Sequence, residues 1–306
     1  MIHVQGLEFG YTRSRKVFRG LGLELGQGSI MGLLGRNGEG KTTLLKLLTG
    51  QLLRQSGQLE VLGHDPKRRQ VSFLQQVYLL PEEVVVPSIS IAKFFEVNGA
   101  FYPSYDAALG HELLQIFSLS PEMNLKKISQ GQKKKALIAF ALALRVPLLL
   151  MDEPTNGLDI VSRAQFRALM ARPEQAWRTV IISTHQAHDL ESVLNHLWFM
   201  DQGRIVLDAS MARLAQRLHM GVAASEADLP AATLHREPLG APSPRTPWAW
   251  VARREPAAAP DAPVQLELLY KALSLAPQAL LAAIGDEGAE TGEPPQGHWP
   301  QEETQP

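Results

Sequence analysis

The sequence predicts an α/β fold organised around a phosphate-binding loop, and three observations predict it. The first is Gly35-Arg36-Asn37-Gly38-Glu39-Gly40-Lys41-Thr42-Thr43, which matches G-x-x-x-x-G-K-[ST]. An apolar run, Ile30 to Leu34, precedes it, and Leu44, Leu45, Leu47 and Leu48 cover one face of a helical stretch after it. The second is Leu148-Leu149-Leu150-Met151-Asp152-Glu153, a buried strand by composition that delivers two carboxylates at its C-terminal end. The third is Thr179 to Ser183, another buried strand, running out into Thr184-His185. Short apolar strands interleaved with helices describe a sheet whose ligands collect at the strands' C-terminal ends.

Taken in order, Ile2 to Tyr11 and Leu21 to Leu25 alternate apolar and polar residues as half-buried strands do. Tyr11 stands at a strand end, where its ring either stacks on a base or packs in the core; spacing leaves both open. Arg13, Arg15 and Lys16 read as a solvated hairpin turn. In the loop, a strand turning into a helix through glycines makes a nest of backbone N–H groups at a positive helix end. Gly35, Asn37, Gly38, Gly40, Lys41, Thr42 and Thr43 are its candidate nucleotide-binding residues. Lys41 would reach the β- and γ-phosphates, and the Thr42 hydroxyl would hold Mg²⁺. Glu39 puts a carboxylate close to those phosphates, so it must point to solvent or cost affinity.

Gly57 to Leu62 and Val71 to Leu80 read as strands, the second with a break at Gln75-Gln76. Pro81-Glu82-Glu83 ends that run, and a carboxylate there is placed to hold Mg²⁺ or position water. Val84 to Val86, bracketed by Pro81 and Pro87, is an irregular and partly exposed stretch, and Asp106 to Leu119 is helical. Ser129-Gln130-Gly131-Gln132 precedes Lys133-Lys134-Lys135 and an apolar helix, Ala136 to Leu144. It is either an N-terminal anion site or a simple helix cap, and in isolation the cap is the better reading. The lysine run reads as a polar helix face. Asp152 would support Mg²⁺, and Glu153 would polarise water for attack on a γ-phosphate. His185, at a strand's C-terminal end, stands beside these candidates.

A turn at 154–159 leads to a helix, Ile160 to Ala171; a hairpin turns at Asp201-Gln202-Gly203, and Ser210 to Met220 is an amphipathic helix. Composition then shifts: residues 221–306 hold 13 of the 21 prolines. Two units follow, 1–220 as the unit carrying the motifs and 221–306 as a mostly flexible Pro/Ala-rich tail. Only Val264 to Leu275 and Gln278 to Ile284 in that tail look capable of helix. Trp248, Trp250 and Trp299 keep open a docking role.

Composition narrows the class further. The chain has 306 residues, 45% hydrophobic and 20% charged, with a net charge of −1 that gives no pull toward nucleic acid. The absence of cysteine excludes disulfides, thiolate catalysis and cysteine metal sites. Neither a secretory signal nor a run of the ~18 apolar residues needed for a membrane span is visible.

Over roughly residues 1–220 these elements resemble the ATP-binding subunit of ABC transporters, most closely the bacterial exporter type. Residues 35–43 look like Walker A, Leu148 to Glu153 like Walker B, Ile128 to Gln132 like the signature, and Asn156 to Asp159 like the D-loop. His185 matches the switch histidine and Tyr11 the adenine-stacking aromatic. Glu82 stands in the Q-loop glutamine's place, with Gln76 the rival. The resemblance implies a P-loop NTPase cassette with a mixed sheet core, a helical subdomain and an antiparallel β subdomain. It implies ATP and Mg²⁺ as cofactors, with Glu153, His185 and Glu82 catalytic and Thr42, Glu82 and Asp152 around the metal. It also implies a sandwich dimer of like or unlike cassettes, in which Ser129, Gly131, Gln132 and Asp159 of one subunit close on nucleotide held by the other. Glu82 for Gln, Ile128 for Leu and Gln130 for Gly depart from the pattern. Gln130 adds a side chain where the backbone is expected to near phosphate.

The expected function is therefore ATP hydrolysis driving a separately encoded multi-span permease, in the direction of export. The expected location is cytoplasmic, held at the inner face of the membrane through that permease near Glu82 and Val84 to Val86. The competing class is a soluble regulatory or repair ATPase. Those carry long coiled-coil insertions, whereas roughly ninety positions without a heptad run separate Lys41 from Ser129. A small GTPase would need an N-K-x-D guanine reader, which is absent.

Overall fold

The computed structural model describes residues 1–285, apart from 13, 186, 242, 244–245, 255–262 and the side chains of 187 and 189. Arg13, Trp299 and the tail beyond 285 therefore lie outside the described residues. The elements run β1 (Ile2–Gly10), β2 (Lys16–Leu25), β3 (Ile30–Gly35), α1 (Lys41–Leu48), β4 (Ser56–Val61), α2 (Val71–Leu74) and β5 (Val77–Leu80). Next come α3 (Ile91–Gly99), α4 (Ala107–Ile116), α5 (Gln130–Ala143), β6 (Leu148–Asp152), α6 (Ile160–Met170) and β7 (Thr179–Ser183). The chain continues with β8 (His196–Asp201), β9 (Arg204–Ser210), α7 (Met211–Arg217), β10 (Leu218–Ala223), β11 (Thr233–Pro238), β12 (Trp248–Arg253), α8 (Leu266–Leu275) and α9 (Pro277–Ile284).

The central sheet has the order β5-β6-β7-β3-β8-β9, parallel except where β9 turns back on β8. Its side chains alternate between two cores. Met31, Leu33, Leu148, Leu150 and Ile181 face one way, toward α1 and the antiparallel sheet β2-β1-β4. Leu34, Leu149, Met151, Val180 and Ile182 face the other, toward the helices α3 to α6. A strand period of two within all-apolar runs produces this division. Register then sets the site: Asp152 pairs with Ser183, and Ser183 with Leu33, so β6 and β7 end level and β3 runs two residues further, to Gly35. The expected mixed sheet, helical subdomain and antiparallel subdomain are all present.

Three local expectations change. Val71–Leu74 forms a helical turn that seats Phe73 in the core, and strand resumes only at Val77. Helix α3 was not anticipated, although Ser90 caps it and Ile91 and Phe95 form its buried stripe. Lys134 is buried rather than part of a solvated face, its ammonium donating to the Glu82 carbonyl at 2.8 Å. Burial pushes its pKa down, while the Glu82, Asp152 and Glu153 carboxylates pull it back up.

The largest correction concerns the Pro/Ala-rich segment. The expected boundary at 220 falls inside β10, and the described part of 221–285 is folded rather than mostly flexible. Strands β10, β12 and β11 form a third antiparallel sheet, and α8 and α9 bury Leu266, Leu269, Leu273, Leu280 and Ile284 in the larger core. Fully burying one such side chain contributes about 1.5–3 kcal/mol. The prolines that suggested disorder punctuate these elements instead. Pro238 ends β11, Pro247 precedes β12 and Pro277 opens α9 at its first helical position. The two expected helices do form, and among the described residues no single helix is long and apolar enough to cross a membrane.

Candidate functional site

The phosphate loop leaves β3 at Gly35 and enters α1 at Lys41. Gly40 holds φ +110°, and a Cβ there would meet Val17 and the Phe18 ring at 2.9–3.0 Å, so the turn requires glycine. Lys41 is 7% exposed, and its Nζ donates to the Gly35 and Arg36 carbonyls at 2.7 and 3.0 Å. Burial lowers its pKa, opposed by the carboxylates of Glu153, Asp152, Glu39 and Glu82. Glu39 still lines the cleft, and its carboxylate accepts the Gln202 backbone N–H from the β8–β9 turn.

Thr42 Oγ1 donates to Asp152 Oδ2 at 2.6 Å, joining residues 110 positions apart, and the other Asp152 oxygen accepts from the Ser183 hydroxyl. A hydroxyl touching a buried carboxylate at the mouth of an N–H-lined loop is a donor set suited to a hard cation. Mg²⁺ would share it with phosphate oxygens and water. Among the described residues no three acidic or imidazole side chains gather into a metal site of their own.

Glu153 follows directly and is 5% exposed, with a positive φ of 46° uncommon for a residue with a side chain. Its N–H donates to the Ser183 carbonyl at 3.0 Å. Its Oε1 accepts the His185 backbone N–H at 3.1 Å and faces His185 Nδ1 at 2.8 Å. Its Oε2 is buried and has no hydrogen-bond partner among the described residues. A buried carboxylate oxygen without a partner is costly, and here it is free to take a water proton.

Glu82 enters the same cleft, its Oε1 accepting from Asn156 Nδ2 at 2.9 Å. Gln76 does not; its amide donates to the Ser72 carbonyl at 2.7 Å. Tyr11 stands at the rim, 57% exposed, edge-on to Phe9 at 5.2 Å and with its hydroxyl 3.0 Å from Thr43 Oγ1. The cleft, about 1030 Å³, also takes in Arg15, Arg19 and Arg204. Ser183 and Arg204 were not singled out in the sequence; for Ser183 the signal was its place two residues before His185, on the strand beside Asp152.

Ser129, Gly131, Gln132 and Asp159 lie elsewhere, around a separate hollow of about 570 Å³. Ser129 caps α5 in a reciprocal box: its Oγ accepts the Gln132 N–H at 3.2 Å, and Gln132 Oε1 accepts the Ser129 N–H at 3.1 Å. Asp159 caps α6 by accepting the Ser162 N–H at 2.7 Å, and this bond holds its carboxyl below the usual range. A Cβ on Gly131 would come within 3.0 Å of the Gly157 carbonyl. Gln130 faces the opposite way, bonded to Lys133 at 3.3 Å in the groove with Glu83 and Val85, so its side chain does not crowd this hollow. The candidate residues thus fall into two groups within one chain.

Comparison with known proteins bears on both groups. A family profile described as "ABC transporter" matches residues 18–156. The ABC transporter ATP-binding protein YtrB of Bacillus subtilis (strain 168) is 28% identical over 192 residues, 62% of this chain and 65% of its own length. The match therefore spans slightly less than two thirds of that relative. The cytochrome c biogenesis ATP-binding export protein CcmA of Rhodopseudomonas palustris (strain HaA2) is 32% identical over 179 residues, 56% of this chain and 85% of that one. Among solved structures, one described as an ATP binding subunit of an ABC transporter superposes with a TM-score of 0.64 at 22% identity. It covers 70% of this chain and 91% of the other, a likeness of fold.

Proposed function

The chain belongs to the ABC transporter ATP-binding family, and from that membership we propose that it hydrolyses ATP between two copies of itself to drive a separately encoded membrane permease. One observation carries the reading. The phosphate loop, Asp152 and Glu153 share a cleft, with His185 set against Glu153 behind it, while Ser129, Gly131, Gln132 and Asp159 surround a different hollow. Each chain thus presents two half-sites, and a second chain turned head to tail would bring unlike halves together.

In that arrangement Lys41 leaves the Gly35 and Arg36 carbonyls and pairs with the β- and γ-phosphates. Backbone N–H groups from Gly38 to Thr43 hold the remaining phosphate oxygens, and Tyr11 lies under the base. Thr42, Asp152 and Glu82 would hold Mg²⁺, which would offset negative charge on the phosphates. Glu153 orients water and accepts its proton as the oxygen attacks the γ-phosphorus and the bond to ADP breaks. The free Oε2 is the atom available for that proton. His185 fixes the carboxylate through Oε1. Ser129 and the N-terminal N–H groups of α5 from the other copy close on the γ-phosphate.

The permease contact falls at Glu83 to Val85, where Val85 is 100% exposed beside the cleft-facing Glu82. Motion of Glu82 would be felt there directly. The export function in the printed name of the CcmA relative supports an outward direction. The reading is tested by phosphate release from the purified chain. Mg²⁺-dependent ATP hydrolysis lost in Lys41→Ala is expected; no hydrolysis by the unaltered chain, alone or with its permease, contradicts it.

A further inference from the structure

Helix α8 is gripped at both ends by charged residues from segments of the nucleotide site. At its C-terminal end the guanidinium of Arg36, projecting from the phosphate loop, donates to the Ser274 carbonyl at 2.8 Å, 238 positions away in sequence. At its N-terminal end the Glu191 carboxylate accepts the Leu266 N–H at 2.7 Å. Glu191 stands immediately after the short helical turn Ala187–Leu190 that follows His185. Gln265 offers no side-chain cap of its own, so Glu191 supplies it from outside the helix. An anion at the N-terminus and a cation at the C-terminus both complement the helix dipole.

Between these ends α8 is part of the core. Leu266, Leu269 and Leu273 are buried, and the Tyr270 ring packs on Phe199 of β8 at 5.6 Å. Burial pushes the Tyr270 hydroxyl up, and it is close enough for the charges of Arg36, Glu39 and Glu153 to bear on it. Arg36 also has a second connection. Its carbonyl is one of the two on which the Lys41 ammonium rests, and Lys41 must leave it to meet phosphate. The residue that parks the lysine through its backbone therefore holds the C-terminal unit through its side chain.

We propose that Arg36 is a positioning residue of the nucleotide site: its clasp on the Ser274 carbonyl, with Glu191 at the far end of α8, couples the shape of the phosphate loop to the packing of the C-terminal unit. This rests on the nucleotide reading given above and adds the element through which the loop is held. Coupling between two such equilibria is reciprocal. If docked α8 favours the loop that accepts nucleotide, bound nucleotide favours docked α8 by the same factor.

Hydrogen exchange of the full chain, with and without Mg²⁺ and a non-hydrolysable ATP analogue, tests this. Amides of 266–276 are expected to slow by about five-fold together with those of 35–43, the low end of such couplings because Arg36 is exposed. Arg36→Ala loses the slowing at 266–276 and binds the analogue about five-fold more weakly. Arg36→Lys, which keeps a cation in reach of the carbonyl, recovers most of both. Glu191→Ala, outside the loop, shifts both readouts in the same direction as Arg36→Ala. Slowing confined to 35–43 in the unaltered chain overturns the proposal and leaves the nucleotide reading standing. So does an Arg36→Ala variant that melts earlier but binds the analogue unchanged. No slowing anywhere removes the nucleotide reading and the proposal with it.

Discussion

The proposed chemistry of the site rests most heavily on one side chain, Glu153. Its left-handed backbone and its unpartnered Oε2 are both costs, and the fold meets them with the bonds to Ser183 and His185. Glu153→Gln keeps the shape and removes the proposed base. It is expected to slow phosphate release roughly 10²–10⁴-fold while nucleotide still binds. Loss of nucleotide binding to the same degree would show that the carboxylate is structural. Thr42 offers a cleaner probe of the cation. Thr42→Val preserves volume but removes the hydroxyl that touches Asp152, so half-maximal hydrolysis should need about ten-fold more Mg²⁺, close to the cost of one lost charge-assisted bond. An unchanged Mg²⁺ titration would place the ion elsewhere.

Elements outside the cassette motifs carry more of the stability than their composition suggests. Leu269 is fully buried on α8, and Leu269→Ala should cost about 2–5 kcal/mol through lost transfer and a residual cavity. Truncation after Met220 cuts β10 midway and removes β12, α8 and α9 from the core. It is expected to lower the thermal midpoint by about 5 °C or more, or to abolish the cooperative transition. An unchanged midpoint would mean that these helices contribute nothing to the folded state. The contrast with the motif-bearing elements is physical. Ile30 to Leu34, Leu148 to Asp152 and Thr179 to Ser183 are continuous apolar strands, legible because a central parallel strand is buried on both faces. The loop at 35–43 is legible because phosphate geometry restricts its residues. Proline and alanine are ambiguous letters: they spell disorder when solvated and tight turns with close packing when buried. Only contacts distant in sequence, such as Val251 and Leu269 in one core, separate the two. Register is the other hidden quantity, which is why Ser183 behind Asp152 escaped notice while His185 did not.

The whole molecule presents an ATP-binding cassette with a folded C-terminal unit. The proposed location follows from what its surface offers, a fully exposed Val85 beside a cleft-facing Glu82. Val85→Asp is expected to move the protein from the membrane fraction to the soluble fraction when it is co-expressed with its permease, with nucleotide binding unchanged. Retention at the membrane would place the contact on another surface. The central claim concerns the two half-sites, because one chain alone leaves Ser129 and Gly131 outside the cleft that holds Lys41 and Glu153. Analytical ultracentrifugation of Glu153→Gln with ATP and Mg²⁺ tests it most directly. The account predicts a dimer that forms with nucleotide, dissociates when nucleotide is removed and is weakened by Ser129→Arg; a monomer at saturating Mg²⁺-ATP would contradict it.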